Sequence, residues 1–133
     1  MSIRTFLYSF NHSLAMLVLR VGLGATMFLA HGLGKLTSFP NPDFPDPFRI
    51  GATTSMGLAV FAEVFCALLL ILGLWTRLAA IPLITTMAVA FFIIHADDPL
   101  RNKELALLYL FGFVTLFFGG PGQYSVDAKM KRS

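Results

Sequence analysis

The chain has 133 residues, 56% of them hydrophobic, with a net charge of +3 and a mean hydropathy of +0.75. Only 13% are charged, against about 25% in soluble domains, and the charges cluster between long apolar runs, which excludes an ordinary soluble fold. The surplus cations sit beside those runs and in a short tail, so they point to a lipid bilayer as partner and to no nucleic acid, while the single cysteine, Cys66, excludes an internal disulfide and a structural zinc site.

Four apolar segments follow in chain order, over residues 14–36, 53–74, 78–96 and 103–119. A bilayer core takes about 20 residues of helix, and runs of this length without period-2 alternation are helices, since lipid offers the backbone no hydrogen bonds. Arg20 interrupts the first run and no small-x-small site follows it, so that segment reads as a span and not as a cleaved leader. It carries Arg20, Gly24, Met27, His31 and Lys35 at spacings of four, three, four and four, which keeps them on one face, turned toward the bundle. The loop over residues 37–52 interleaves Pro40, Pro42, Pro45 and Pro47 with Phe39, Phe44 and Phe48, forbidding helix and favouring a semi-rigid cap on one membrane face, although an ordinary connector fits the same residues.

The second segment holds Glu63, flanked by the small residues Ala59, Cys66 and Ala67, which let a neighbouring helix come close. The turn to the third segment is short, so these two form an antiparallel hairpin with Trp75 at the interface and Thr76 as its expected N-cap. His95 ends the third segment and Glu104 opens the fourth. Gly119, Gly120 and Pro121 then stop the last helix, ahead of a basic tail at 123–133. The expected fold is an all-α polytopic membrane four-helix bundle, antiparallel, a single domain over residues 1–133 with both termini on the same side. Arg4, Arg77, Lys129, Lys131 and Arg132 lie on that side against Lys35, Arg49, Arg101 and Lys103 on the other, which predicts cytoplasmic termini.

Depth then pairs the charges. Arg20 lies roughly 9 Å along the first helix and Glu63 roughly 15 Å along the second. A lone charge near the midplane costs on the order of 2.5–3.5 kcal/mol, so Arg20 and Glu63 are expected to neutralise one another, either as a functional site or as a device that aligns the two helices. His31, Lys35, His95 and Glu104 form a second expected cluster toward the opposite face. An imidazole titrates near neutrality, at about 6.5, so the two histidines suit proton exchange or hydrogen bonding to a quinone-like head group, with Glu63 a further contact; their spacing belongs to no metal motif.

The stretches "LRVGLGATMFLAHGLGKL", "FAEVFCALLLILGLWTRLAAIPL", "FFIIHADD", "KELALLYL" and "GPGQYSVD", in this order, resemble the DoxX family of small four-helix membrane proteins. By motif, Arg20, His31, Gly32, Lys35, Glu63, Arg77, His95, Glu104 and Gly120-Pro121-Gly122 match its characteristic positions. The resemblance implies a bundle in the bacterial cytoplasmic membrane and an accessory role or membrane subunit in a quinone- or thiol-linked redox system. With no cysteine pair and no flavin or nicotinamide motif, the chain would be no complete oxidoreductase alone; it would need a bound quinone or a redox partner subunit, with homo-oligomerisation also open. A small-solute or proton transporter or channel, and a non-catalytic scaffold or assembly factor, are the alternatives.

Overall fold

Asn11 opens the first long helix by accepting the Leu14 amide on its side-chain oxygen at 3.0 Å, and from there the chain turns back on itself three times. The computed structural model describes residues 2–8 and 11–132, with side chains for 2–5 and 11–131. Among them are a short helix α1 (Ile3–Tyr8), four long apolar helices α2 (His12–Thr37), α3 (Ala52–Leu72), α4 (Thr76–Ile94) and α5 (Leu100–Gly119), and a final short helix α6 (Val126–Arg132). No strand occurs among the described residues. Each long helix is long and apolar enough to cross a membrane. The protein is a polytopic membrane four-helix bundle.

The outward surface is apolar, as lipid requires. Val18, Leu29, Leu78, Phe92, Phe111 and Phe118 are all more than half exposed, whereas Met27, Ala67, Leu70, Leu83, Phe113 and Leu116 are sealed in the core. α2 packs along α3, and α4 packs along α5. Hydrogen bonds join the start of α2 to the end of α5, with His12 Nε2 2.9 Å from the Gly119 carbonyl and the Gln123 amide donating to Ser13 Oγ at 3.1 Å. This end, where the α3–α4 turn also lies, is the tail end; the opposite end carries the proline-rich loop.

α3 stops at Leu72 because Gly73 adopts a left-handed φ of 72°, and the Gly73 and Leu74 amides fold back onto the Leu70 and Leu69 carbonyls at 3.1 and 3.0 Å. Thr76 does not cap α4, contrary to expectation. The chain enters that helix through Trp75 at a φ of 51°, and the orphan amides of Trp75 and Thr76 donate to the two carboxylate oxygens of Asp127 at 2.7 and 3.0 Å. The basic tail is therefore a structural part. It folds as α6, with the Asp127 amide bonded to the Gly73 carbonyl at 2.9 Å, while Ser133 lies outside the described residues.

At the loop end another aspartate fastens the chain just ahead of α3. Asp46 accepts the Ile50 and Gly51 amides at 3.0 and 2.8 Å and the Ser55 hydroxyl at 2.7 Å, tying the proline-rich loop to the first turn of the helix. The Ser55 hydroxyl, with those two amides, holds the Asp46 carboxyl below its ordinary value. Three of the long helices also widen locally into π-helical turns, at Phe28–Gly32 in α2, Phe61–Cys66 in α3 and Ala90–Ile94 in α4.

Because one carboxylate satisfies two orphan amides, Asp127→Ala should destabilise the bundle by about 1–2 kcal/mol. Asp127→Asn, which keeps one carbonyl acceptor, should fall between it and the wild type. Thermal unfolding in mild detergent, followed by fluorescence of the single tryptophan, Trp75, measures both.

Candidate functional site

Arg20 and Glu63 are both buried, at 1% and 2% exposure, but they do not meet. The Arg20 guanidinium donates from Nη1 to the Leu70 and Ile71 carbonyls at 2.8 and 2.7 Å, and from Nη2 to the Tyr124 carbonyl at 2.7 Å. Carbonyls of the last helical turn have no partner within the helix and carry the negative end of its dipole, so the arginine caps α3 and ties the tail to it. Gly73 makes room for this. A Cβ there would stand 2.8 Å from Arg20 Nη1 and 2.5 Å from Ser125 Cβ. The carboxylate whose field reaches the guanidinium is that of Asp127.

The register of α2 on α3 explains the difference. A Cβ on Gly32 would collide with the backbone carbonyl of Glu63, and one on Gly24 would stand 3.0 Å from the Ala67 carbonyl and 2.9 Å from Ile71 Cγ1, so these glycines let the two backbones touch. Gly32 thus stands level with Glu63. Arg20, twelve residues earlier in the sequence, lies about 18 Å away along the axis, level with the end of α3. Setting the helices flush end to end, as a depth estimate does, hides that offset.

The cation that does reach Glu63 is Lys35, about one turn beyond Gly32, whose Nζ donates to Oε1 at 2.9 Å. The lysine side chain is 28% exposed and the glutamate side chain 3%, so Lys35 bends inward to a fixed acid. Beside this pair lies a cavity of about 460 Å³. Its wall includes His31, Lys35, Glu63 and His95, and it is closed toward the loop end by Phe44, Pro45, Pro47 and Phe48 of the connecting loop. All three π-helical turns contribute, through His31, Glu63 and the pair Ala90 and Ile94, as wide turns do at many functional sites.

Of the expected outer cluster, three members are together and one is not. His31 stacks edge-on against Tyr109 with ring centroids 5.7 Å apart and an interplanar angle of 86°, and His95 Nδ1 lies 2.7 Å from Asp98 Oδ2 at the rim. Glu104 is exposed and off the cavity wall, because the α5 face that lines it runs through Asn102, Ala106 and Tyr109. Arg77 belongs to the tail end, where its Nε donates to the Phe117 carbonyl at 3.0 Å beside Gly120. Among the described residues no three His, Cys, Asp or Glu side chains converge on a possible metal position. Cys66 is sealed in the core at 2% exposure, away from the cavity wall.

Sequence reasoning missed Tyr109. Only 4% exposed and on the cavity wall, it presents a hydroxyl that has no hydrogen-bond partner among the described residues. A buried orphan hydroxyl costs on the order of 1–3 kcal/mol, and this one is sealed from the cavity, which Tyr109 lines through its other atoms. The available signal was its place in "KELALLYL", one turn past Leu105 and Ala106 on the face that starts at Asn102.

Fold and site together define a small membrane helical bundle with an ion-paired, partly polar cavity enclosed at one end. A family model described as DoxX matches residues 15–96, and the chain belongs to that family. It is 36% identical over 118 residues to a Haemophilus influenzae protein described as uncharacterized, covering 79% of this chain and 83% of that one. It is also 32% identical over 132 residues to a Mycobacterium tuberculosis protein described as an uncharacterized membrane protein, covering 86% and 78%. No solved structure matches the chain significantly.

The partner assignments can be separated energetically. Lys35→Met and Glu63→Met should each destabilise the bundle, and together cost less than their sum, with a coupling of about 0.5–3 kcal/mol. Arg20→Met and Glu63→Met should instead add to within about 0.5 kcal/mol. Unfolding equilibria of the single and double variants in detergent check both cycles.

Proposed function

We propose that the chain is a ligand-binding membrane subunit of a quinone-linked redox system, and that the cavity between His31, Glu63 and Tyr109 holds the quinone head. The observation that carries this reading is the Lys35–Glu63 ion pair, with the Glu63 side chain only 3% exposed, on the wall of an otherwise mostly apolar chamber. Ligand pockets run from about 300 to 1,000 Å³ with a few convergent polar groups, and this one, at about 460 Å³, fits that description.

The residues suit a head with two carbonyl oxygens. An imidazole nitrogen of His31, which has no hydrogen-bond partner among the described residues, supplies one hydrogen bond and the Lys35 ammonium a second. Lys35 and Glu63 form a hydrogen-bonded ion pair at 2.9 Å on the same wall. Lys35, partly exposed, links that pair to the rim. A quinone, when bound, would carry electrons and protons between partners. The chain's own groups position it, exclude water under the phenylalanine and proline loop, and exchange protons with it. Electrons must come from a partner subunit, since one sealed thiol cannot complete a two-electron thiol–disulfide step.

The same reading places the bundle in the bacterial cytoplasmic membrane with the tail end inside. Arg4, Arg77, Lys129, Lys131 and Arg132 outnumber Lys35, Arg49, Arg101 and Lys103, which favours a cytoplasmic tail end.

Protein purified in mild detergent should yield a quinone on solvent extraction and bind decylubiquinone saturably. His31→Phe, which loses one hydrogen bond worth about 0.5–1.5 kcal/mol, should weaken that binding by roughly 2- to 13-fold. Preparations that release no quinone and bind none saturably would refute the reading.

A further inference from the structure

The cavity is not closed on every side. α4 packs along α5, and the part of α3 near the loop, Ala52–Val60, packs against the end of α2, with the Phe61–Cys66 turn of α3 meeting α4 deeper in the bundle. Toward the loop end, α3 and α4 therefore follow different neighbours. The cavity wall includes Leu58 and Ala59 from α3, and Thr85, Thr86 and Val89 from α4. Two of these are also exposed, Leu58 at 58% and Thr85. Exposed lining residues on two helices that follow different neighbours border a gap between them.

Depth shows what the opening faces. Thr85 is the tenth residue of the nineteen-residue α4, about 14 Å from its start and so near mid-membrane. Leu58 stands in the second turn of α3, about 9 Å in from the loop end. The aperture is thus framed by side chains at acyl-chain depth. The Thr85 hydroxyl is turned back onto the Ile81 carbonyl at 2.9 Å, so it presents its methyl group and no free donor. The polar groups on the wall are His31, Lys35 and Glu63, and the Glu63 side chain is only 3% exposed. The path from lipid to site runs from apolar to polar.

We infer that the cavity loads sideways from the bilayer through a fissure between α3 and α4, and that its ligand is an amphiphile whose polar head lies against His31 and Glu63 while a long apolar tail leaves past Leu58 and Thr85. This rests on the head-group reading above and adds the ligand class: a lipid-dissolved, tailed molecule and not a water-borne solute. The loop fits the assignment. Phe44, Pro45, Pro47 and Phe48 cover the aqueous end, and the Asp46 hydrogen bonds hold that cover on α3. An apolar tail left in water would forfeit about 0.8 kcal/mol for each methylene, so the fissure gives the tail a place in lipid while the head is enclosed.

Two probes with one head separate the claims: decylubiquinone, with a ten-carbon tail, and ubiquinone-0, which has none. Binding is measured to the full chain in lipid nanodiscs for the wild type, Leu58→Trp and Thr85→Trp. Both positions are exposed, so a tryptophan narrows the fissure without entering the core. The wild type should bind both probes, and each variant should lose tenfold or more in affinity or association rate for decylubiquinone while changing less than twofold for ubiquinone-0. Equal effects on the two probes, or no effect on either, in both variants would overturn the lateral route and leave the head-group site standing. Failure of the wild type to bind either probe would overturn the head-group reading and this inference with it.

Discussion

An arginine in hydrocarbon must place its donors on something, and Arg20 places three hydrogen bonds on backbone carbonyls at the end of α3 and in the tail. Much of the molecule follows from that choice. The guanidinium joins α2, α3 and the segment after α5 at one level, and Asp127, drawn to the same level, caps α4. With Arg20 engaged at the tail end, the acid in the middle of α3 is left to another cation. Lys35 is the one within reach, and its ammonium brings a titratable pair to the wall of the cavity. The two ends of the bundle thereby divide the labour: one is locked by carbonyl and carboxylate hydrogen bonds, and the other encloses space.

Satisfaction of polar groups by backbone is the physical theme. Arginine at a helix C-terminus gains from the orphan carbonyls and the dipole together. A carboxylate does the complementary work at the N-terminus of α4, where Asp127 reaches in from the tail, and Asp46 fastens the loop ahead of α3 to Ser55 in that helix's first turn. The unpartnered buried atoms that remain among the described residues are Arg20 Nε, the Thr76 hydroxyl and the Tyr109 hydroxyl. Only the last two belong to neutral groups, and Tyr109 alone of the three lies on the cavity wall.

The bundle was legible in the sequence because hydrophobic run length and the bilayer's lack of hydrogen bonds leave a single class of answer. The inward stripe on the first helix was legible for a similar reason, since a spacing of three and four residues fixes a face whatever the neighbours do, and Arg20, Gly24 and Met27 are indeed buried. The pairing of Arg20 with Glu63 failed because periodicity fixes rotation about a helix axis and not translation along it. That translation is set by Gly24 and Gly32 pressing on the α3 backbone, a contact between helices that no single-helix pattern encodes. The π-helical turns left no trace in composition. Tyr109 was hidden for a different reason: an aromatic on an apolar helix reads as packing until the cavity beside it is seen. Glu104 misled because it opens a helix near His95 in sequence, whereas the α5 face that meets the cavity is defined by Asn102, Ala106 and Tyr109.

The central claim is that Glu63 belongs to Lys35 and Arg20 to the end of α3. Solid-state NMR of the protein in lipid bilayers, with ¹³C at the Glu63 carboxyl and ¹⁵N placed in turn on the lysine ammonium and arginine guanidinium groups, tests it most directly. The account requires strong dipolar dephasing of the Glu63 carboxyl by a lysine Nζ that disappears in Lys35→Met, and none by arginine nitrogen. Dephasing by arginine that disappears in Arg20→Met would contradict it.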